Sequence, residues 1–391
     1  MSNTLSGYFD YNATTPLFDS VMDKMAATMG HFSNASGKSV PSQKNKQLIQ
    51  DSRQLVADLV GCGADQLAFV SGGSEANNWA IKGCLLQYAK SPGHIITSTI
   101  EHPSVLDTVK YMVDHFGFEV TFLKPNRDGA VSFDDIELSI RADTQLISLM
   151  YANNETGVIQ PVKAVQKLAH DHGIKFHVDA VQIVGKRIIN FNEIGADYIS
   201  FSAHKFYGPK GIGGLYIKIP TSLPPLIHGG GQEMGMRAGT ENLLAIAGMG
   251  QAAKECHQHL EQWELAYQGY KKSLIEQLSA QCFEVEFNGV TTPKEAMSNT
   301  LNFSIKGIRG EALALMLDRK YNISVSIGSA CSNNKTQHLS HVLESMDLSE
   351  ARIQAAIRMS FGYFTRQEDI DYFVDSISTA AIKLLSISSL D

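Results

Sequence analysis

Lys205 is the residue with the clearest chemical promise. It lies in Ser200-Phe201-Ser202-Ala203-His204-Lys205-Phe206-Tyr207-Gly208-Pro209-Lys210-Gly211-Ile212-Gly213. A short apolar run, Asp197 to Phe201, gives way there to small polar residues and then to a turn rich in Gly and Pro. A lysine placed just past a buried strand, between His204 and Tyr207, loses part of its water. Desolvation favours the neutral amine that forms Schiff bases. That amine is what pyridoxal phosphate (PLP) requires of a protein. A loop lysine paired with a surface carboxylate fits the same few residues, so this stretch leaves both readings open.

The elements around Lys205 narrow the choice. From Leu67 onward short apolar runs alternate with helical patterns. Leu67 to Val70, His94 to Thr97, Glu119 to Phe122, Gln145 to Leu149, Ile174 to Val178, Tyr198 to Phe201 and Ile212 to Ile217 read as strands. Val21 to Met29, Ser42 to Val60 and Ala76 to Tyr88 read as helices. Such alternation predicts an α/β fold with a mostly parallel sheet covered on both faces. Ligands then gather at the carboxyl ends of the strands.

Polar residues cluster at those ends. Gly72-Gly73-Ser74 opens a helix, where free backbone N–H groups suit a phosphate, although a plain turn with a serine cap fits too. Glu101-His102-Pro103, Asn153-Asn154-Glu155-Thr156-Gly157 and His177-Val178-Asp179-Ala180-Val181-Gln182 follow other strands, and Ser202 to Lys205 follows another. Each taken singly is an ordinary cap. Together they hold the groups a PLP site uses.

After Ile219 comes a long polar loop with His228-Gly229-Gly230-Gly231 and Met236-Arg237-Ala238-Gly239-Thr240, then a helix from Glu241 to about Ala280. It is either a surface loop or part of a site across a dimer interface. From Phe283 the pattern becomes α+β, which predicts a second, smaller domain. Strands are expected near Glu284 to Phe287, Thr300 to Ile305 and Ile323 to Ile327, with helices near Gly310 to Asp318 and Gln367 to Leu385. Between them Gly328-Ser329-Ala330-Cys331-Ser332-Asn333-Asn334 puts one cysteine in a small polar loop, where a thiol is exposed and reactive rather than a buried filler.

Bulk composition excludes several classes. The 391 residues predict two domains, or one large domain with an appendage, and 43% hydrophobic with 19% charged residues is ordinary for a globular chain. A net charge of −7 gives no reason to expect direct nucleic-acid binding. The first residues, Met1 to Gly7, have no basic region or apolar core, and no apolar run would cross a bilayer. Five dispersed cysteines without a C-x-x-C pair predict a reduced, cytoplasmic protein with neither disulfide scaffold nor metal site. Dinucleotide, Walker A and H-E-x-x-H motifs are missing.

Three stretches, F-H-V-D-A-V-Q-I-V-G-K (Phe176–Lys186), S-A-H-K-F-Y-G-P-K-G-I-G-G (Ser202–Gly214) and G-S-A-C-S (Gly328–Ser332), together resemble the cysteine desulfurases of the NifS/IscS type, in the class V branch of fold-type I PLP enzymes. The resemblance runs from about Tyr8 to about Ile377. It implies a large PLP-binding domain with a mostly parallel seven-stranded sheet, residues 16–258. A smaller α+β domain of residues 1–15 and 259–391 would carry the catalytic cysteine loop, about 327–340. By the same resemblance, Lys205 holds PLP covalently and later moves the Cα proton of the substrate. Asp179 pairs with the pyridine nitrogen, Asn154 and Gln182 contact the phenolic oxygen side, and His102 stacks on the ring and shares in proton transfers. Gly73, Ser74, Ser202 and His204 hold the phosphate, with Thr240 arriving from the other subunit of a homodimer. Arg358 clamps the carboxylate of L-cysteine, helped by Asn34. Cys331 takes the substrate sulfur as a persulfide, leaving L-alanine, and passes it to a sulfur-acceptor protein for iron–sulfur assembly, tRNA thiolation or DNA phosphorothioate modification.

The chain departs from the family pattern in places. Gln232 stands where many relatives have His after the triple glycine, Ala35 replaces a common Pro, and Gly73-Ser74 replaces a frequent Ala-Thr. Asn333-Asn334-Lys335 follows the cysteine where relatives often have small residues. By the resemblance, the tail at Leu390-Asp391 lacks the extension with which housekeeping members dock an iron–sulfur scaffold, which puts that partner in doubt and leaves room for a dedicated acceptor. A selenocysteine lyase or another class V aminotransferase would share Lys205 and Asp179. A non-catalytic scaffold would not need the Lys205, Asp179 and Cys331 that are all present.

Overall fold

The computed structural model describes residues 7–327, 329–330 and 338–388. Its main sheet has seven strands: β1 Leu67–Val70, β2 His94–Ser98, β3 Glu119–Leu123, β4 Thr144–Met150, β5 Lys175–Asp179, β6 Tyr198–Ser202 and β7 Gly213–Ile217. They lie in the order β1-β7-β6-β5-β4-β2-β3. Strands β3, β2, β4, β5 and β6 are mutually parallel, and only β7 runs against its two neighbours, β6 and β1. The mostly parallel seven-stranded sheet expected from the sequence is therefore present. Because β7 reverses twice over, β1 points the same way as β6, and its carboxyl end lies at the same edge of the sheet.

Most of its strands are buried at every position, and because side chains point alternately to the two sides, both faces of the sheet are buried. Ile199, Phe201 and Tyr216 enter one core, while Tyr198, Leu215 and Ile217 enter the other. Helices α1 Asp19–Thr28 and α2 Val40–Val60, with the 37-residue helix Leu243–Ser279, cover the first face. Helices α3 Gly73–Leu85 and α4 Pro103–Phe116 cover the second with Trp79, Val105, Val109 and Met112. Local chemistry sets their ends. Ser39 caps α2, Pro41 sits in its first turn, and Gly61 ends it at φ 66°. Pro103 opens α4 and Gly117 ends it at φ 75°.

The smaller α+β part has a four-stranded antiparallel sheet. Its strands are β8 Val285–Phe287, β9 Thr300–Ile305, β10 Ser326–Ile327 and β13 Ala356–Ser360, in the order β10-β13-β9-β8. Between β10 and β13, β11 Ser329–Ala330 pairs with β12 His338–Leu339 as a separate ribbon. Helices Gly310–Tyr321 and Gln367–Ser388 pack Leu313, Leu317, Ile370, Phe373 and Ile377 into the core that holds Phe303 and Ile357.

The N-terminal arm belongs with this part. Tyr8 bridges to Ser324 and Asp10 to Ser360. That pairing explains one difference from expectation. The strand foreseen over Ile323 to Ile327 is shortened to Ser326–Ile327, because Ser324 is taken by the arm. The helix Leu243–Ser279 runs unbroken through position 258, so the two parts share it as a common spine. Among the described residues no helix is long and apolar enough to cross a membrane.

Candidate active site

A cavity of about 320 Å³ opens at the carboxyl edge of the main sheet. Ten residues picked out in the sequence line it: Gly73, Ser74, His102, Asn154, Asp179, Gln182, Ser202, His204, Lys205 and Arg358. The fold explains the gathering. Gly73 and Ser74 begin α3 after β1, His102 precedes α4 after β2, and Asn154 follows β4. Asp179 ends β5, with Gln182 in the turn beyond, and Ser202 ends β6 just before Lys205. Arg358 comes from β13 of the smaller sheet and closes the cavity from the other side.

Lys205 donates to the carbonyl oxygens of Asn12 (2.6 Å) and Ala13 (2.7 Å). Burial, aided by the guanidinium of Arg358, pulls its pKa down to about 8, while Asp10 and Asp179 resist that fall. At neutral pH a usable fraction of its amine is therefore uncharged.

Asp179 accepts from the Asn77 side-chain N–H at 2.8 Å and from the Val181 backbone N–H at 2.9 Å. Asn77 donates as well to Ser104 Oγ (2.9 Å), and Ser104 Oγ lies 2.8 Å from His102 Nδ1. The Ser104 backbone N–H also points at Nδ1. An acceptor at Nδ1 puts the proton of neutral His102 on Nε2. The ring stands at the open side of the cavity. The protein packed around it still lowers its pKa, Lys205 and His341 push the same way, and Asp179 opposes them.

Behind this layer two groups are held neutral. His177, buried between the hydroxyls of Ser148 and Ser200, is pushed down to about 3 by burial. Glu101 is fully buried and raised to about 8, against the bonds from Ser98 Oγ and the Met150 N–H.

Arg358 donates to Asp10 (2.5 Å), to Ser326 Oγ (2.7 Å) and to the Asn154 carbonyl (3.1 Å). Its Nε is buried with no hydrogen-bond partner among the described residues. The guanidinium is thus fixed in one plane at the wall of the cavity, the form in which Arg recognises a carboxylate.

Three sequence-picked residues are not part of this cavity as described. Asn34 sits in the exposed loop between α1 and α2, where its side chain accepts from the Ser36 N–H at 2.8 Å. Thr240 is exposed in the loop after β7. Cys331 lies outside the described residues. The strands flanking its loop are described, and the residues after β12 bond to chain neighbours of the cavity residues Asn154 and His102. Just past β12, Ser340 Oγ donates to the carboxylate of Glu155, and His341 Nε2 meets the Glu101 carbonyl at 3.0 Å. The other four cysteines are free thiols. Burial raises Cys62 and Cys84 to about 12 and pushes Cys256 higher, so these three are poor nucleophiles, and Cys282 is exposed but does not line the cavity.

Sequence reasoning missed Asn12, Asn77, Ser104 and Lys186. Asn12 lies in the N-terminal arm, outside the motifs quoted from the sequence. Asn77 is the fourth residue after Gly73, one helical turn on, and that spacing after a Gly-Gly-Ser opening was a usable signal. Lys186 was inside a quoted motif without a role.

The donor set fits PLP. An open helix N-terminus, flanked by the Ser74 and Ser202 side chains, offers an anion site. A Cβ on Gly73 would sit 2.8 Å from Val181 Cγ2, so the backbone there approaches more closely than a side chain would allow. The same cavity holds the Asp179 carboxylate and the Lys205 amine of lowered pKa.

Comparisons with known proteins agree with this geometry. A family model described as aminotransferase class-V matches residues 7–373. A protein named cysteine desulfurase IscS from Dictyoglomus turgidum is 39% identical over 382 residues, covering 97% of this chain and 96% of the relative. Among solved structures, a NifS-like protein superposes with a TM-score of 0.89 at 33% identity, covering 96% of this chain and 99% of its own. A structure described as SspA in complex with cysteine gives 0.80 at 34% identity, over 91% and 99%.

Proposed function

The chain belongs to the class-V aminotransferase family, and from that premise we propose that it works as a PLP-dependent cysteine desulfurase, with the residues below in the roles given. The observation that carries the assignment of roles is the single cavity in which Lys205, Asp179, His102, Gln182 and Arg358 converge.

Lys205 would hold PLP covalently, Asp179 would face its pyridine nitrogen, and Asn154 and Gln182 its phenolic oxygen side. Gly73, Ser74, Ser202 and His204 would hold its phosphate. When bound, PLP supplies an electron sink that makes the Cα proton of an amino acid removable. Arg358 binds the carboxylate of L-cysteine and sets which bond faces Lys205. Asn34 helps at that end of the substrate. Lys205, uncharged at a pH near its lowered pKa, takes the Cα proton. His102 carries a proton on Nε2 and exchanges it with the substrate. Cys331, as thiolate, attacks the substrate sulfur. The new bond joins Cys331 Sγ to that sulfur, and the Cβ–S bond breaks with its electron pair going to Cβ. Protons returned at Cβ and Cα complete L-alanine, and the persulfide on Cys331 passes its outer sulfur to an acceptor protein. A reducing cytoplasm suits an enzyme whose nucleophile must stay a thiol. The anchoring of Ser340 and His341 beside Glu155 and Glu101 supports a loop that works at this cavity.

The test is one reaction of the PLP-loaded protein with L-cysteine, with and without dithiothreitol, followed for alanine and for a persulfide on Cys331. Both products are expected in equal amounts in a single turnover. Cys331→Ser should stay yellow and bind cysteine while releasing less than about a hundredth of the wild-type sulfide, the order of loss when a nucleophile is removed. Undiminished sulfide release from that variant would remove Cys331 from the mechanism.

A further inference from the structure

Lys186 is buried beneath the cavity, 5% exposed, and it has no part in the scheme above. Its Nζ donates to Gln182 Oε1 at 2.7 Å and to Asn12 Oδ1 at 3.1 Å. Both recipients belong to the site. Gln182 lines the cavity, and the Asn12 carbonyl accepts from Lys205.

Hydrogen-bond polarity leaves one arrangement of these amides. A backbone carbonyl can only accept. The Asn154 carbonyl takes an N–H from Asn12 Nδ2 at 3.1 Å, so Asn12 Oδ1 must face the other way, toward Lys186. The Asn12 carbonyl takes an N–H from Gln182 Nε2 at 3.1 Å, so Gln182 Oε1 likewise turns to Lys186. Asn12 Oδ1 has a second donor in Asn299 at 3.3 Å. For Gln182 Oε1 the only donor among the described residues is Lys186. With that oxygen engaged, the second N–H of Gln182 is the polar group left for the cavity.

We propose that Lys186 is a positioning residue of this site, one that holds the Gln182 carbonyl oxygen out of the cavity so that an amide N–H, and not an oxygen, meets the phenolic oxygen of PLP. The proposal rests on the reading that Gln182 faces that oxygen. A donor there stabilises the ionised phenolic oxygen, whereas an oxygen would repel it. Without Lys186 the buried carbonyl of Gln182 loses its donor, and a buried acceptor in that position rotates to find another. The charged groups facing Lys186 are Lys205 and Arg358, which repel a charge on it, and Asp10, which attracts one. The uncharged amine has two N–H groups for two acceptors, so the arrangement holds when Lys186 is neutral.

The readout is the pH at which the visible absorbance of the bound cofactor changes, measured on PLP-loaded wild type, Lys186→Met, Gln182→Leu and the double variant. Loss of one neutral hydrogen bond corresponds to roughly half to one pH unit. Lys186→Met should raise the midpoint by about that amount, with kcat falling more than KM rises. The double variant should shift no further than Gln182→Leu alone, since both changes remove the same donor. A wild-type midpoint in Lys186→Met beside a shifted one in Gln182→Leu overturns the role of Lys186. Unshifted midpoints in both overturn the placement of Gln182 against the phenolic oxygen. If Lys186→Met does not fold, Lys186→Gln replaces it. It keeps a polar group in place but ends one bond short of Nζ, so it loses the same contact, and a wild-type midpoint there overturns the proposal as well.

Discussion

The Lys205 side chain illustrates how a residue's surroundings set its chemistry. Burial and the Arg358 guanidinium lower its pKa to about 8, and Asp10 and Asp179 moderate the fall. For a base whose charged form is disfavoured, the neutral fraction grows as pH rises through the lowered value. Recombination of stripped protein with PLP should therefore speed up between about pH 7 and 9, with a midpoint near 8. An ordinary lysine would give a midpoint near 10.4. Stopped-flow absorbance checks this, and a rate still climbing steeply above pH 9.5 would show that burial does not tune Lys205. At the same scale the carbonyl and side chain of Asn12 serve six partners at once. The carbonyl takes Lys205 and Gln182, the amide oxygen takes Lys186 and Asn299, and the amide N–H groups reach Asn154 and Thr300.

Among the elements, the turn after β5 is tightly packed. It carries Asp179, Gln182 and Lys186 within eight residues and bends at Gly185, φ 70°. A Cβ at Gly185 would lie 2.3 Å from Phe206 Cβ, the residue after Lys205. The turn and the Lys205 segment are packed directly on each other there, so strain in one is felt by the other. Gly185→Ala combines an unfavourable φ with an overpacked contact, and should cost about 2–4 kcal/mol. It should also weaken PLP retention, because Phe206 must move and Lys205 with it. Thermal melting and PLP content after dialysis measure the two effects. A variant as stable as wild type would mean the turn relaxes without cost. This glycine was one letter in a recognised motif, and its spatial reason appears only once Phe206 is seen against it.

At the scale of the whole molecule, two sequence-picked residues stand outside the cavity of their own chain. Asn34 and Thr240 belong to neighbouring loops, since residues 35–38 and 231–234 line one surface groove. Around them Met29, Phe32, Val40 and Met234 are 73%, 90%, 71% and 57% exposed. A second chain packed on this surface would cover such side chains. One buried and one partly buried ion pair lie in this region. Glu233 meets Arg53 at 2.6 and 2.7 Å and accepts the Phe69 N–H, while Arg237 meets Glu75 at the start of α3. The homodimer that the sequence resemblance implies, with Thr240 in the other subunit's phosphate site, would account for both. Light scattering should give twice the chain mass, and Thr240→Ala should stay dimeric while losing PLP roughly tenfold more readily, as one hydrogen bond to a charged group predicts. A monomeric, fully active wild type would remove this role from Thr240.

Much of this was written locally in the chain. Seven strands were legible because alternating apolar runs report a buried sheet within five or six residues. Lys205, Asp179, His102 and the Gly73-Ser74 turn were legible because each sits directly after such a run, where a parallel sheet delivers its ligand groups. What the tertiary structure alone decided depends on distant pairings. Asp10 meets Arg358 across 348 positions and Asn12 meets Thr300 across 288. No spacing rule covers such separations, so the clamp on Arg358 and the Asn12–Gln182–Lys186 network could not be read beforehand. The sequence settles which groups a strand end presents, since that depends on neighbours in the chain. Only folding settles which of them share a donor, a charge or a wall, since that depends on neighbours in space.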